Sequence, residues 1–287
     1  MSGIIWLASY PKSGNTWFRV FLANLLGDSD EPASINRLGK TPIASSRLLF
    51  DDEIGFEASD LTADEIDRLR PELYIHLAQK VSGPVFMKIH DAFLYLDDNR
   101  PLIPQDATAG ALYFIRNPLD VAVSFAHHSG WDYDTTISRM ADDGFTSCEK
   151  KDRLHNQLRQ KLLSWSGHAE SWVDQTPFDV QVVRYEDMLQ NPFETFATAS
   201  RVVGLDPSDD EILRALEHSS FQRLRAQEEA EGFIEKHPSA STFFRSGKIG
   251  SWREELNCAQ VRRIVHDHGQ VMRRFGYLGE QGEVLDG

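Results

Sequence analysis

A short loop near the start of the chain carries residue types that could do chemistry. It follows an apolar, β-branched run from Ile4 to Ala8, which predicts a buried strand, and it precedes a helix predicted from about Asn15 by apolar residues at helical spacing. The first turn of such a helix has backbone N–H groups without intrahelical partners, and the helix dipole favours negative charge there. Gly14 allows close approach of a ligand, and Lys12 adds a cation. The pattern predicts a phosphate-binding loop, with an ordinary structural turn as the alternative.

The loop is not a Walker A sequence. That motif, G-x-x-x-x-G-K-[ST], places a lysine directly after its second glycine. In this chain Lys12 precedes Gly14 by two positions, and Asn15 follows the glycine. Ser13, Asn15 and Thr16 can add side-chain hydrogen bonds to a bound anion.

A second apolar run, residues 84–91, ends in polar side chains. In open α/β sheets, ligands collect at the carboxyl ends of the strands, so Lys88 and His90 stand where chemistry is expected. A single histidine at a strand end is more often a capping or satisfied polar residue than a functional one.

A third apolar run, residues 111–115, leads into Arg116 and a helix that begins near Pro118. Proline suits the first position of a helix, and Ser124 falls in the second turn. A guanidinium matches the oxygens of a phosphate with two parallel hydrogen bonds, which a lysine cannot do. Taken alone, the two residues also fit a purely structural role.

At 287 residues the chain could be one large α/β domain or two small ones, and we expect one domain over residues 1–287. The 41% apolar and 26% charged content is ordinary for a globular protein, and no internal repeat or Gly/Ser/Pro-rich linker divides the chain. Apolar spacing further predicts a mostly helical segment over 151–175 and helices at about 193–204, 209–217 and 258–275.

Charge and cysteine content favour some function classes over others. A net charge of −14 argues against general nucleic-acid binding. No apolar run is long enough for a membrane span, and no basic stretch precedes the first apolar segment, so neither a membrane anchor nor a signal peptide is expected. Cys148 and Cys258 are far apart and suggest neither a disulfide framework nor a metal site. We therefore expect a cytoplasmic protein.

Two stretches of the chain resemble a known family. Residues 10–17, YPKSGNTW, closely resemble the YPKSGTTW loop of the sulfotransferases that use 3′-phosphoadenosine 5′-phosphosulfate (PAPS). Asn15 in place of the usual Thr looks like bacterial members that act on glycopeptides and other natural products. Residues 116–124, RNPLDVAVS, are similar nearly residue for residue to the family's RNPKDVAVS segment.

Further matches follow in the family's order. Lys88 and His90 look like the family's K-x-H segment, residues 185–188 resemble YEDM, and residues 219–221 look like TSF. Residues 243–253 resemble FMRKGxxGDW. The chain departs from the pattern after His90, where Asp91-Ala92 replaces the usual Leu-Pro, and in the last motif, where Ser246 and Ser251 replace the usual Lys and Asp.

The resemblance implies a PAPS-dependent sulfotransferase with a single P-loop-like α/β domain, built on a central parallel sheet flanked by helices. Such an enzyme transfers a sulfuryl group from PAPS to a hydroxyl or amine of a small-molecule or natural-product acceptor, giving a sulfate ester and 3′-phosphoadenosine 5′-phosphate (PAP). By the same resemblance, His90 is the catalytic base, Lys12 stabilises the leaving 5′-phosphate and Lys88 binds the sulfuryl oxygens. No metal is expected.

The resemblance also assigns residues to the donor. Trp17 and Tyr185 are expected near the adenine, and Arg116, Ser124, Arg245 and Gly247 at the 3′-phosphate. The full set expected to bind the donor is Lys12, Ser13, Gly14, Asn15, Thr16, Trp17, Arg116, Ser124, Tyr185, Ser219, Phe221, Phe244, Arg245, Ser246 and Gly247.

The expected partner is a small-molecule acceptor, such as a phenol, an alcohol or a glycopeptide-like compound, rather than nucleic acid or a membrane; the chain could also form a homodimer. Two other functions compete with this one. A P-loop kinase or NTPase would need GK[ST] and a metal-binding Asp, and neither is evident. A non-catalytic nucleotide- or sulfate-ester-binding protein would not need Lys12, Lys88 and His90 together.

Overall fold

The structure is a computed structural model that describes residues 3–27, 29–149 and 154–285. Its strands are β1 Gly3–Ser9, β2 Pro84–Ile89, β3 Thr108–Ile115, β4 Thr146–Ser147, β5 Gln160–Lys161 and β6 Val180–Arg184. Its helices are α1 Asn15–Leu25, α2 Arg47–Ile54, α3 Ala63–Lys80, α4 Pro118–Ser129, α5 Tyr133–Met140, α6 Trp165–Asp174, α7 Tyr185–Gln190, α8 Pro192–Val202, α9 Asp209–His218, α10 Phe221–Glu231, α11 Trp252–Glu255 and α12 Cys258–Arg274.

Four strands form a central parallel sheet in the order β2-β1-β3-β6. β1 pairs with β2 in parallel, from Gly3 opposite Pro84 to Ala8 opposite Ile89. Every residue of β1 is buried, as expected of a strand whose two faces are both covered. Parallel neighbours need crossover connections, and helices supply them here. The α/β fold with a central parallel sheet is therefore confirmed.

The contacts of the chain group it into two compact units. The first unit comprises residues 1–10, 40–113 and 143–182, and the second comprises residues 11–39, 114–142 and 183–287. A single domain over 1–287 stays a prediction.

In the first unit, α3 packs against β1. The ring of Tyr74 on α3 meets Trp6 of β1 edge-on, with centroids 5.0 Å apart. The indole N–H of Trp6 donates to Oγ1 of Thr108 at 2.8 Å, so this large buried side chain leaves no polar atom unsatisfied. α3 begins with the capping box that its sequence predicts: Thr62 and Glu65 each bond the other's backbone N–H.

In the second unit, an aromatic cluster holds α1 in place. Phe18 and Phe21 of α1 pack against Phe196 of α8, with ring centroids 5.6 and 4.6 Å apart, and Phe18 also contacts Phe114 at 5.0 Å. All four rings are fully buried. Buried aromatic rings contribute much of the apolar surface that fixes a core, so the helix behind the phosphate loop is firmly anchored.

The helix predicted over 151–175 is wrong in its first part. Residues 151–153 lie outside the described residues, and α6 begins only at Trp165. Leu163 has a positive φ of 59°, which a helix cannot contain, and Ser164 caps α6 by accepting the N–H of Gly167. Gln160 and Lys161 form β5 with β4 instead. The leucines at helical spacing here lie in loop residues on either side of β5, because tertiary pairing overrides the local pattern.

Candidate active site

The loop predicted to bind phosphate has the backbone of an anion site. Lys12 and Gly14 both have positive φ, 72° and 96°, and Gly14 is the N-cap residue of α1 without a side-chain cap. α1 also carries no acidic residue in its first turn. The N–H groups at this helix end are therefore not covered by a carboxylate or hydroxyl cap, and the helix dipole favours an anion there.

Gly14 is required on two grounds. Its φ of 96° lies in the region that favours glycine, and a Cβ on it would stand 2.8 Å from Cδ2 of Tyr185. The tyrosine expected near the adenine thus packs directly against the glycine of the phosphate loop. Trp17 approaches the same tyrosine edge-on, with centroids 6.3 Å apart.

Three hydrogen-bond donors on residues predicted to bind PAPS are buried without a hydrogen-bond partner in the described part of the chain. They are Oγ of Ser13, Nε1 of Trp17 and Nε of Arg116. Buried donors are rarely left unsatisfied, and each such group costs about 1–3 kcal/mol. Hydroxyl, indole and guanidinium groups all donate, so the missing partner is a molecule rich in acceptor oxygens or nitrogens. A phosphorylated nucleotide fits this requirement.

Arg116 gathers the segments that the sequence predicts for the 3′-phosphate. Its guanidinium donates to the backbone carbonyls of Lys12 at 3.3 Å and Lys248 at 3.1 Å. Its Cζ atom lies 4.2 Å from the ring centroid of Tyr185, a cation–π contact, and Asp120 is 3.9 Å from Nη2. The structure therefore brings together the phosphate loop, the Arg-Asn-Pro segment and the glycine-rich C-terminal loop.

Asp120 holds the C-terminal loop in place. Its fully buried carboxylate accepts the backbone N–H groups of Gly250 at 2.8 Å and Trp252 at 3.1 Å. Within that loop, Gly247 has φ of 60°, and a Cβ there would lie 2.5 Å from the ring of Phe221. Two residues predicted to bind the donor, Gly247 and Phe221, are therefore in contact, and only glycine fits at 247.

Lys12 rests on an aromatic ring. Its Nζ lies 3.8 Å from the ring centroid of Phe243, within cation–π range. The backbone N–H groups of Phe243 and Phe244 both donate to the carboxylate of Glu228, at 2.7 and 2.8 Å. Phe244 itself is buried. Glu228 thus fixes the segment whose Phe243 ring contacts Lys12.

The two departures from the last family motif contact each other. Ser246 Oγ lies 3.2 Å from Ser251 Oγ, within hydrogen-bond distance. The neighbouring Arg245 pairs with Glu255 at 2.8 Å. Partial burial alone would raise the pKa of Glu255, but hydrogen bonds from Tyr133, His127 and Arg245 lower it to about 2. The predicted phosphate ligand Arg245 therefore shares its charge with a permanently ionised carboxylate.

Two predicted serines stand apart from these contacts. Ser219 is fully buried, and its hydroxyl donates to the carbonyl of Ala215 at 2.7 Å, in its own helix turn. Ser124 is half-buried in the second turn of α4. Asn15 and Thr16 are buried in the first turn of α1. A direct role for these side chains in donor binding stays a prediction.

In the first unit, the ring of His90 is oriented by the end of β1. Its Nδ1 lies 2.7 Å from the backbone carbonyl oxygen of Ser9 and 3.2 Å from the Ser9 hydroxyl. A carbonyl can only accept, so Nδ1 carries the proton of the neutral ring. The other nitrogen, Nε2, is then the basic one. This arrangement supports the role of a general base.

The backbone of His90 is held by a second histidine. Nε2 of His168 lies 3.1 Å from the carbonyl oxygen of His90, and Nδ1 of His168 lies 2.9 Å from the hydroxyl of Tyr113. The carbonyl must accept, so His168 donates from Nε2 and Tyr113 donates to Nδ1. Burial lowers the pKa of His168 to about 4, so this ring is neutral at physiological pH.

Replacing His168 by glutamine tests this inference through stability. Because the folded-state pKa of about 4 lies below the ordinary value of 6.5, the unfolded state takes up the proton first as the pH falls. The stability is complete above pH 6.5 and decreases by about 1.4 kcal/mol per pH unit towards pH 4. Chemical denaturation of the parent and of His168→Gln should show this decrease in the parent and its loss from the variant. Equal slopes would contradict a buried neutral His168.

Lys88 lies two residues before His90, near the end of β2. β2 ends at Ile89, so His90 is the first residue after the carboxyl end of the strand. Lys88 is 7% exposed, and its backbone bonds Pro42 and Ala44. Lys88 and His90 thus belong to the first unit, whereas the residues predicted to bind the donor belong to the second.

Sequence reasoning missed several residues of these sites. Ser9 acts through its carbonyl, which every residue has, and His168 lies in a segment for which the sequence predicts only a mostly helical pattern. Phe243 and Asp120 lie inside recognised motifs, so only their contacts with Lys12 and with the C-terminal loop were hidden. Among the described residues, no group of three or more His, Cys, Asp or Glu is placed to hold a metal ion.

Comparison with known proteins decides the family. The model of the sulfotransferase domain matches residues 3–276, which is nearly the whole chain. The chain belongs to the sulfotransferase family. This sulfotransferase is 24% identical over 283 residues to dog sulfotransferase 1A1, with 94% of its own chain and 83% of that protein covered. It is 20% identical over 282 residues to rabbit amine sulfotransferase, covering 94% and 81%. The predicted enzyme class is confirmed.

Solved structures show the same fold. A mouse sulfotransferase complexed with PAP superposes with a TM-score of 0.59 at 17% identity, covering 96% of this sulfotransferase and 88% of that chain. Retinol dehydratase, in complex with androsterone and the inactive cofactor PAP, gives a TM-score of 0.56 at 19% identity, covering 94% and 80%. These likenesses confirm the P-loop-like α/β fold. In the residues that the structure describes, no helix combines the length and the apolar character needed to cross a membrane.

Proposed function

We propose that this sulfotransferase transfers a sulfuryl group from PAPS to a hydroxyl or amine of a small organic acceptor. The observation that carries the proposal is the set of three buried donors without partners at Ser13, Trp17 and Arg116. A nucleotide with phosphates at both the 5′ and 3′ positions would satisfy donors on the phosphate loop and on the Arg-Asn-Pro segment. The mouse relative contains PAP, which is what remains of PAPS after transfer.

The catalytic roles follow from side-chain chemistry. His90 takes the proton from the acceptor's hydroxyl or amine at Nε2, because Nδ1 already carries one for the Ser9 carbonyl. Lys12, with the N–H groups of the α1 end, stabilises the negative charge that grows on the 5′-phosphate as its bond to sulfur breaks. Lys88 binds sulfuryl oxygens. The acceptor gains sulfate, and PAP leaves. The prediction that no metal takes part is kept.

The remaining residues divide between the two ends of the donor. Ser13, Gly14, Asn15 and Thr16 of the loop hold the 5′-phosphate. Trp17 and Tyr185 line the adenine, together with Ser219 and Phe221. Arg116 and Ser124, with the segment of Phe244, Arg245, Ser246 and Gly247, hold the 3′-phosphate, and the cation–π contact of Arg116 with Tyr185 links the two groups.

The acceptor, compartment and assembly are proposed more coarsely. The names of the relatives include an amine sulfotransferase and a retinol dehydratase solved with androsterone, which supports small organic acceptors with hydroxyl or amine groups. Asn15 in the loop supports a bacterial-type enzyme for phenolic, alcoholic or glycopeptide-like natural products. We propose a cytoplasmic location, which the free thiols of Cys148 and Cys258 support. A homodimer stays a prediction.

Ligand-induced stabilisation tests the donor. A ligand at 100 times its Kd stabilises the folded state by about 2.7 kcal/mol, so PAP should raise the unfolding midpoint by several degrees. ADP, which lacks the 3′-phosphate, should need a much higher concentration for the same rise, and AMP a higher one still. Thermal unfolding at a series of concentrations of each nucleotide gives the three affinities. ADP binding as tightly as PAP would contradict the proposal.

A further inference from the structure

The residue that follows the proposed base is a buried carboxylate. Asp91 is 1% exposed and forms a bidentate ion pair with Arg70 of α3, with N–O distances of 3.0 and 2.6 Å. Arg70 is 0% exposed. The residue next to the proposed base is therefore part of a fully buried charge pair.

Further hydrogen bonds hold Asp91 through both its carboxylate and its main chain. Its carboxylate accepts the backbone N–H of Lys161 at 3.2 Å, and its carbonyl accepts the indole N–H of Trp172 at 3.0 Å. The next residue, Ala92, donates its N–H to the carbonyl of Lys161 at 2.8 Å. The two residues that follow His90 are therefore held by both side-chain and backbone hydrogen bonds.

Arg70 is in turn fully engaged. Its Nε donates to the hydroxyl of Tyr74 at 2.9 Å, and Nη1 also contacts the carbonyl of Arg159 at 3.2 Å and Asp67 at 3.5 Å. Burial alone would lower the pKa of Arg70, but the charge of Asp91 raises it, so the guanidinium stays charged. Such a pair has one geometry, set by the planar fork of the guanidinium.

Stability alone does not account for this pair. A buried ion pair is often no better than apolar residues of similar volume, because burying two charges costs about as much as their attraction returns. An apolar side chain such as leucine would fill the position of Asp91 without that cost. What the pair adds is a directional constraint, and the residue under that constraint is covalently joined to His90.

We propose that the Arg70–Asp91 pair positions His90 for proton transfer. Three contacts then hold His90. The Ser9 carbonyl accepts from its Nδ1, His168 donates to the backbone carbonyl of His90, and the fixed Asp91 is its neighbour in the chain. The inference rests on the proposed role of His90 as the base. Displacing a catalytic group by about 1 Å can cost about 10²-fold in rate, so a looser His90 should lower kcat strongly.

The test removes both charges together, because removing one would leave the other buried alone and could prevent folding. The variant Arg70→Met/Asp91→Leu should fold, bind PAP with the parent's Kd and show kcat lowered by about 10- to 100-fold. The matched control is Glu53→Gln/Lys80→Gln, which removes an exposed ion pair between α2 and α3. It should keep the parent's kcat. Unfolding midpoint and PAP affinity establish that the variants are folded.

A double-mutant cycle separates positioning from a merely structural role. In the background of His90→Ala, removal of the Arg70–Asp91 pair should change the remaining rate, measured with radiolabelled donor, by less than about twofold. Two results would overturn the inference. One is a further 10- to 100-fold fall in rate when the pair is removed from His90→Ala, and the other is an unchanged kcat when the pair is removed from the enzyme that keeps His90. Parent-level activity of His90→Ala alone would instead overturn the base assignment of the proposed function, so the two failures are distinguishable.

Discussion

His90→Ala should lower kcat by about 10²–10⁴-fold while leaving the Kd for PAP unchanged. A positioned general base contributes that range, because it removes the acceptor's proton as the new bond to sulfur forms. His90 is proposed to act on the acceptor and is not among the residues proposed to bind the donor, so donor affinity should not change. The measurement is transfer of radiolabelled sulfate, at saturating donor, to a screened hydroxyl or amine acceptor.

The matched control for this prediction is His90→Gln. Glutamine can donate to the Ser9 carbonyl as Nδ1 of His90 does, but it offers no basic nitrogen. If His90 contributed only its hydrogen bond to the Ser9 carbonyl, His90→Gln would keep much of the activity that His90→Ala loses. We expect both variants to be equally inactive. Activity of either variant near the parent level would place the base elsewhere.

Arg116→Ala should raise the half-saturating concentration of PAPS and the Kd of PAP by about 10- to 100-fold. Hydrogen bonds to charged groups contribute about 1.5–3 kcal/mol, and each 1.4 kcal/mol is a factor of ten in affinity. The variant also loses the bonds to the carbonyls of Lys12 and Lys248, and that loss should affect PAP and ADP alike, whereas loss of the phosphate contact should affect PAP alone. Calorimetric titration with PAP measures the change.

ADP provides the internal control for Arg116. It lacks the 3′-phosphate, so its affinity should change far less than that of PAP, and the preference for PAP should disappear from the variant. Arg116→Lys keeps the charge but loses the planar fork, and we expect it to recover only part of the PAP affinity. Equal losses for PAP and ADP would remove Arg116 from the 3′-phosphate site.

The parts of the fold that sequence could predict are those written in local patterns. The strand before the phosphate loop, the helix from Asn15 and the helix from Pro118 all match, because apolar period and terminal residues lie within a few positions of one another. The segment before Trp165 does not match. Its leucines fit a helix, but the positive φ of Leu163 and the pairing of β5 with β4 depend on distant residues.

The site divides in the same way. Motif residues such as Lys12 and Arg116 could be named from sequence because each motif is a continuous stretch. The tautomer of His90 could not be predicted from sequence, since it is set by the carbonyl of Ser9, which is 81 positions away in the chain. Nor could sequence show that Asp91, noted as a departure from the family pattern, pairs with Arg70.

The contact between Ser246 and Ser251 has a consequence for how this enzyme can change. Each hydroxyl can donate and accept, so this contact joins residues 246 and 251 without a charge. Replacing one serine by alanine would take this partner from the other hydroxyl, whereas replacing both would remove the contact as a whole. We therefore expect the double replacement to cost less stability than the sum of the two single ones.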